Sequence, residues 1–140
     1  MAWTVITHLN YGGYDHIGAV SGRVGAYGHN IHAAHVSARS ADDAINQVRE
    51  AFHLIGPDRV TADDAVPPKA DRWTVVGLAD NGTCATHTVL AVIEGGHEVH
   101  GRRDSMLSHR WTRIVDAPTA EAAERAGEEA AAADYADTWN

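Results

Sequence analysis

The chain has 140 residues, and its 19 acidic and 11 basic side chains give a formal net charge of -8 when the histidines are neutral. A domain of this size buries on the order of two-thirds of its unfolded surface, so it can form a core without disulfides or a metal. Hydrophobic residues make up 44% and charged residues 21% of the chain, which is ordinary globular usage and excludes disorder and fibres. The single cysteine, Cys84, excludes an internal disulfide and a cysteine-based zinc cluster.

Charge and hydropathy also limit where the protein acts. No apolar run approaches the roughly 18 residues of a membrane span, and the N-terminal sequence lacks the features of a signal peptide, so we expect a cytoplasmic protein that does not bind membranes. An acidic chain whose only lysine is Lys69 does not carry the basic footprint of a nucleic-acid-binding protein. Abundant arginine and alanine indicate a GC-rich, actinobacterial type of genome.

The elements of the first half follow in chain order. Residues 3–9 are rich in β-branched and aromatic side chains and predict a strand, and further strands are predicted at 17–27 and 31–38. Ser40 is the expected N-cap of a helix whose apolar residues recur at intervals of three and four up to residue 55. Gly56 and Pro57 end this helix.

The second half shows the same order of elements. After a Pro- and acid-rich linker at 57–72, strands are predicted at 73–79, 86–94 and 109–115, and Thr119 caps a helix that runs to about residue 135. The buried stripe of this helix is predicted to consist of small residues, which are Ala123, Ala126, Ala130 and Ala133, with Gly127 beside them.

Several sequence landmarks recur in the same order in both halves. Trp3-Thr4-Val5-Ile6 returns as Trp73-Thr74-Val75-Val76, and the Gly-His pattern of residues 28–32 returns at 96–100. These matches predict an α+β protein made of a tandem βββα repeat, in which each antiparallel meander sheet is covered by one helix. The predicted domains are a first unit at 1–56, the linker at 57–72, and a second unit at 73–140 with an inserted loop at 101–108.

The recurring histidines are candidate ligands for a divalent metal. Imidazole suits zinc or nickel, and a site between the two copies would bring together His29, His32, His97 and His100. The other interpretation is that Gly-His marks a recurring turn. Motifs typical of a serine hydrolase, a phosphate-binding loop or a zinc protease are missing from the sequence, so an enzyme is not predicted. A hydrolase that uses histidines and acids from both repeats remains an alternative.

Acidic and hydrophobic side chains provide the candidate partner-binding residues. Asp42 and Asp43 begin the first helix, and Glu121, Glu124 and Glu128 lie on the second. Such acids are usually solvated, but they can also oppose a basic partner, including a nucleic-acid-binding protein. Trp111, Met106 and Leu107, in and beside the inserted loop, are expected to anchor the partner, so that Trp111→Ala would abolish binding while the fold stays intact. A homodimer is left open.

The strand, turn and helix signals of the first unit form one recognisable pattern. Its strand Trp3-Thr4-Val5-Ile6, the glycine-rich turn and the helical segment from Ser40 to Phe52 resemble the βββα unit of HicB-like antitoxins. The resemblance implies the βββα fold and the binding of a partner protein. Taken together, these features predict a non-enzymatic, acidic accessory or inhibitory protein, of the mobile-element, anti-defence or antitoxin-like type, that sequesters a partner.

Overall fold

The computed structural model describes residues 1–10, 13–56, 70–80, 87–101 and 108–139 of the chain. These residues form seven strands and two helices. In chain order they are β1 (Ala2–Asn10), β2 (Gly13–Ser21), β3 (Ala26–Tyr27), β4 (Ile31–Ser37), α1 (Ala41–Ile55), β5 (Arg72–Asp80), β6 (His87–Glu94), β7 (Ser108–Asp116) and α2 (Ala120–Trp139).

The strands form two antiparallel sheets. The first sheet has the order β2-β1-β4, and the second sheet has the order β3-β6-β5-β7. In both sheets the first long strand of its half of the chain lies between two partners, and a helix follows the last strand. The predicted α+β class, with two antiparallel sheets and two helices, is confirmed.

The prediction of a single second strand at 17–27 is wrong. This segment is divided into β2, which pairs with β1, and β3, which leaves the first sheet and pairs with β6 through Ala26 opposite Ile93 and Tyr27 opposite Val92. The second half reciprocates, because His100 and Ala19 exchange backbone hydrogen bonds of 2.8 and 2.9 Å. Each half thus pairs with backbone groups at the edge of the other half's second strand, which would otherwise be left open.

Side chains point alternately to the two faces of the central strands β1 and β5, and both faces are covered, so the molecule has four layers. On β1, Trp3 and Val5 face α1, whereas Ile6 packs against the second sheet, because successive side chains of a strand point to opposite faces. On β5, Val75 packs towards α2 and Val76 towards the first sheet. The order of layers is therefore α1, first sheet, second sheet, α2. The core between the sheets consists of Ile6, Ile17, Val20, Val76, Ala91 and Ile93.

Helix α1 forms as the sequence predicts. The Ser40 side chain accepts a hydrogen bond from the Asp43 backbone N–H at 3.2 Å, and the Gly56 N–H closes the other end on the Phe52 carbonyl at 3.0 Å. The predicted residues Ala44, Ile45, Val48 and Phe52 are buried against the first sheet. Ile55, at the C-terminal end of the predicted stripe, is instead 51% exposed.

Helix α2 uses a different set of small residues from the predicted one. Thr119 accepts a hydrogen bond from the Ala122 N–H at 3.1 Å, as a cap should. Between residues 120 and 133, the part of α2 whose side chains are described, the buried positions are Ala123, Gly127 and Ala131, whereas Ala133 is exposed. These positions are four residues apart, so they follow one ridge of the helix rather than the predicted stripe.

Two further boundaries can be compared with the prediction. Strand β5 begins at Arg72, within the predicted linker, and residues 57–69 of that linker lie outside the described residues. Residues 102–107 of the predicted inserted loop also lie outside them. Within the described ranges, neither helix has an apolar stretch long enough to cross a bilayer.

Gly127→Ala should destabilise the protein, although alanine is the better helix former. A Cβ at Gly127 would lie 2.6 Å from the Cβ of Val75 on β5. Overpacking of this kind costs about 1–3 kcal/mol, against a gain in helix propensity of up to about 1 kcal/mol. Urea denaturation should show a lower free energy of unfolding. Ala132→Leu, which adds bulk at an exposed position of α2, is the control and should stay near wild type; an unchanged Gly127→Ala would contradict the close contact.

Candidate functional site

The two predicted acidic surfaces lie on opposite sides of the molecule. Asp42 and Asp43 are exposed on α1, which covers the outer face of the first sheet. Glu121, Glu124 and Glu128 are exposed on α2, which covers the outer face of the second sheet. Because both sheets lie between the helices, a compact partner cannot contact both acidic surfaces at once.

A cleft forms at the junction of the two halves and combines residues that the sequence analysis singled out for different reasons. This junction cleft has a volume of about 350 Å3. Its lining consists of His8, Tyr27, Gly28, His29, Thr88, Val89, Leu90, Val92 and Glu124. His29, a predicted metal ligand, and Glu124, a predicted partner-binding acid, therefore lie at the same site.

The floor and rim of the junction cleft differ in chemistry. Val89, Leu90 and Val92 belong to β6 and are buried or half-buried, so they provide an apolar floor. His29 and Glu124 are exposed at its rim. An apolar floor with a few polar groups around it is the usual composition of a binding site.

Strand β3 holds Tyr27 in place at the junction cleft. The Tyr27 hydroxyl donates a hydrogen bond of 2.8 Å to Oε1 of Glu94, and its ring meets Trp73 edge-on with 6.1 Å between centroids. Burial, followed by the hydrogen bond to Glu94, raises the pKa of Tyr27 to about 12. Gly28 is needed beside it, because a Cβ there would lie 2.5 Å from the Leu90 carbonyl oxygen. The phenol therefore stays neutral and fixed.

The structure does not bring the four predicted metal ligands together. His32 is buried under α1, with its ring 5.1 Å from that of Phe52, while His29 lies at the junction cleft. His97 donates from Nε2 to the Glu94 carbonyl at 2.7 Å, and the ring of His100 meets Trp3 at 5.8 Å. Among the described residues, no group of three or more His, Cys, Asp or Glu side chains is arranged to hold a metal ion.

A second cluster of histidines lies under the C-terminal part of α1. The rings of Tyr14, His16 and His32 all contact Phe52, at centroid distances of 4.9, 5.3 and 5.1 Å. The side chains of His16 and Thr7 share a hydrogen bond of 2.8 Å between Nδ1 and Oγ1. An open pocket of about 400 Å3 lies beside them, lined by Tyr14, Asp15, His16 and Arg49.

The chemistry of His16 favours a packing role over proton transfer. Burial, helped by the positive charge of Arg49, lowers its pKa from 6.5 to about 4, and the negative charge of Asp15 only partly opposes this. Its Nε2 atom is shielded from solvent and has no hydrogen-bond partner within the described part of the chain. A neutral imidazole whose second nitrogen is inaccessible cannot exchange protons with a ligand in this conformation.

Trp111 occupies a core position and not the exposed position that the sequence analysis predicted. It is 7% exposed and its indole lies directly over Gly77, the residue opposite it on β5. Only a residue without a side chain leaves room for the indole there. Met106 and Leu107, the other predicted anchors, lie outside the described residues.

Sequence reasoning missed most of the junction cleft. His8, Tyr27 and Thr88 come from three strands that are far apart in the chain. Their convergence depends on the crossing of β3 to the second sheet, for which the sequence carries no periodic signal. The signals that pointed to this place are the glycine-histidine pair at residues 28 and 29 and the acid Glu124 of the second helix.

Comparison of the chain with protein-family models, curated proteins and solved structures finds no match.

Trp111→Ala should reduce stability as a core substitution does. Removal of a buried tryptophan costs about 3–5 kcal/mol because it leaves a cavity as well as losing apolar contacts. Chemical denaturation measures the loss, and Trp111→Phe, which keeps a ring over Gly77, should lose less. A Trp111→Ala protein with wild-type stability would show that the indole is not part of the core.

Stability should also fall with pH through the protonation of His16. Since the pKa is about 4 in the folded protein and 6.5 in the unfolded chain, the unfolded state binds the proton more readily. The free energy of unfolding should therefore decrease as the pH falls from about 6.5 towards 4, and His16→Phe should flatten this dependence. Urea midpoints at pH 7 and pH 5 measure it. His53→Gln, which removes an exposed imidazole from α1, should keep the wild-type difference.

Proposed function

We propose that this chain is a protein-binding module that sequesters a partner with a basic surface, and that the partner docks on α2 and the junction cleft. The observation that carries the proposal is the position of Glu124. It belongs to the exposed acidic side of α2 and also lines a cleft to which both halves of the chain contribute. An acidic patch and an apolar recess thus adjoin each other.

The electrostatics of the molecule support a basic partner. Glu121, Glu124 and Glu128 are spaced by three and four residues, so they lie along one side of α2. The net charge of -8 adds a long-range attraction that raises the rate of encounter with a positively charged protein. The apolar floor of the cleft lets the partner bury apolar surface, which adds to the affinity that attraction between charges provides.

The position of the acids also restricts the mode of binding. A partner that docks on α2 leaves the acids of α1 exposed on the other side, so Asp42 and Asp43 contribute only to the overall field. The proposed interface is therefore one helix and the cleft beside it.

The antitoxin-like role belongs to this proposal. Each half has a central first strand, and a register shift interrupts the pairing of that strand with the second strand at the same point, between Ile6 and Thr7 and between Val76 and Gly77. These likenesses support an internal duplication of a βββα unit similar to that of HicB-like antitoxins. The proposed role is that of a cytoplasmic accessory or inhibitory protein of mobile-element or anti-defence type, and a nucleic-acid-binding protein is a suitable partner because it carries a basic surface.

Neutralising the acids of α2 should weaken partner binding. The test variant carries Glu121→Gln, Glu124→Gln and Glu128→Gln, and the matched control carries Asp42→Asn, Asp43→Asn and Glu50→Gln on α1, with the same change in net charge. A partner is captured from a lysate with the wild-type protein and identified, and its Kd for each variant is measured by calorimetry. We expect the α2 variant to bind at least about tenfold more weakly, since each lost contact to a charged group costs about 1.5–3 kcal/mol.

The control distinguishes a docking site from a general effect of charge. If both variants lose the same affinity, only the net charge matters and the proposed interface is wrong. Thermal melts of all three proteins show whether the folds are equally stable before the affinities are compared.

A further inference from the structure

The chemistry of the junction cleft favours a cation with an apolar stem. Of the nine described residues that line it, Glu124 alone carries a carboxylate, and none is lysine or arginine. Val89, Leu90 and Val92 form an apolar floor beside that carboxylate. A ligand that fits both features has a hydrocarbon part for the floor and a positive charge for the rim.

The aromatic rings of the cleft favour a guanidinium group over an ammonium group. Tyr27, His8 and His29 all line the cleft, and Tyr27 is held by Glu94 and Trp73. A guanidinium group is planar and weakly hydrated, so it stacks on rings and forms paired hydrogen bonds with a carboxylate. An ammonium group is a compact, strongly hydrated charge that keeps its water more readily.

The size of the cleft agrees with one side chain and its surroundings. A volume of about 350 Å3 lies at the lower end of the range, about 300–1,000 Å3, that binding sites for small ligands occupy. The space accommodates an extended side chain rather than a secondary-structure element of the partner.

We infer that the junction cleft takes an arginine side chain of the partner, with its methylene groups on Val89 and Val92 and its guanidinium on Glu124. The inference rests on the proposed function, because it names the group by which a basic partner anchors itself. The Tyr27 and His29 rings flank the guanidinium. The acids at positions 121 and 128 then attract neighbouring basic residues without entering the cleft.

The experiment uses the full chain and three blocked tripeptides, Gly-Arg-Gly, Gly-Lys-Gly and Gly-citrulline-Gly. Citrulline has the shape of arginine but no charge. NMR titration of the 15N-labelled protein should show the arginine peptide shifting the amide signals of Tyr27, His29, Val89 and Glu124. The citrulline and lysine peptides should bind at least about tenfold more weakly.

Two variants test whether Glu124 holds the guanidinium. Glu124→Gln should weaken the arginine peptide about tenfold, as expected for the loss of one charge-assisted contact. Glu129→Gln removes the same charge from an exposed position of α2 outside both the cleft lining and the three docking acids, and should leave the affinity near wild type. Equal binding of the three peptides, or an unchanged affinity in Glu124→Gln, would overturn the inference.

The test of the arginine anchor and the test of the proposed docking surface can fail independently of each other. If the captured partner is lost with the α2 variant but the arginine peptide shifts no cleft signals, the docking surface stands and the arginine anchor is wrong. If the arginine peptide binds selectively but the partner binds the α1 and α2 variants equally, the cleft is selective for arginine and the proposed interface is wrong.

Discussion

Burial of both faces of β1 and β5 is the constraint on which the whole molecule depends. Each strand places one row of side chains under a helix and the other row against the opposite sheet. Ile6 and Val76, which belong to the inner rows, are fully buried only because the other half is present. Neither sheet could leave this inner face in water without exposing a large apolar patch. The two halves are therefore one folding unit, and the junction cleft exists because they close on each other.

A backbone carbonyl of this interior is hydrogen-bonded across the same junction. The register shift between Ile6 and Thr7 leaves Ile17 as an extra residue on β2, whose carbonyl is not part of the regular ladder. Arg110 of β7 donates to this carbonyl at 2.7 Å and to the Val99 carbonyl at 3.0 Å. A buried carbonyl without a partner would cost about 1–3 kcal/mol. The guanidinium thus joins residues of both halves where the sheets meet.

The sequence allowed the local elements to be predicted, because their signals are local. The Ser40 cap and an apolar period of 3.6 residues predict helix α1, and runs of β-branched residues predict the strands. The crossing of β3 carries no such signal, since it involves only Ala26 and Tyr27 and depends on the edge of a strand about 65 residues away in the chain. The junction cleft could not be predicted for the same reason, because its residues converge only through the crossing of β3. The prediction that Trp111 is exposed was wrong because the sequence is the same whether a tryptophan beside an inserted loop faces solvent or packs over a glycine such as Gly77.

The two halves also diverge at equivalent positions, and this divergence accounts for the location of the proposed binding site on one side of the molecule. In the first sheet His32 stands opposite Thr7, while in the second sheet Trp111 stands opposite Gly77. The first half fills the space under its helix with polar aromatic side chains around Phe52. The second half has the Trp111 indole at the equivalent place, and its helix approaches the sheet closely through Gly127 against Val75.

Small contact residues have two consequences for α2. Over residues 120–133, where the side chains of α2 are described, they bury little apolar area, so this part of the helix gains less from the hydrophobic effect than α1 does. They also hold its backbone close to the second sheet, as the close approach of Gly127 to Val75 shows. Glu124 reaches the rim of the cleft from there, whereas a helix raised on larger side chains would carry its acids further from the floor. Close packing at Gly127 and the placement of the carboxylate are thus parts of the same arrangement.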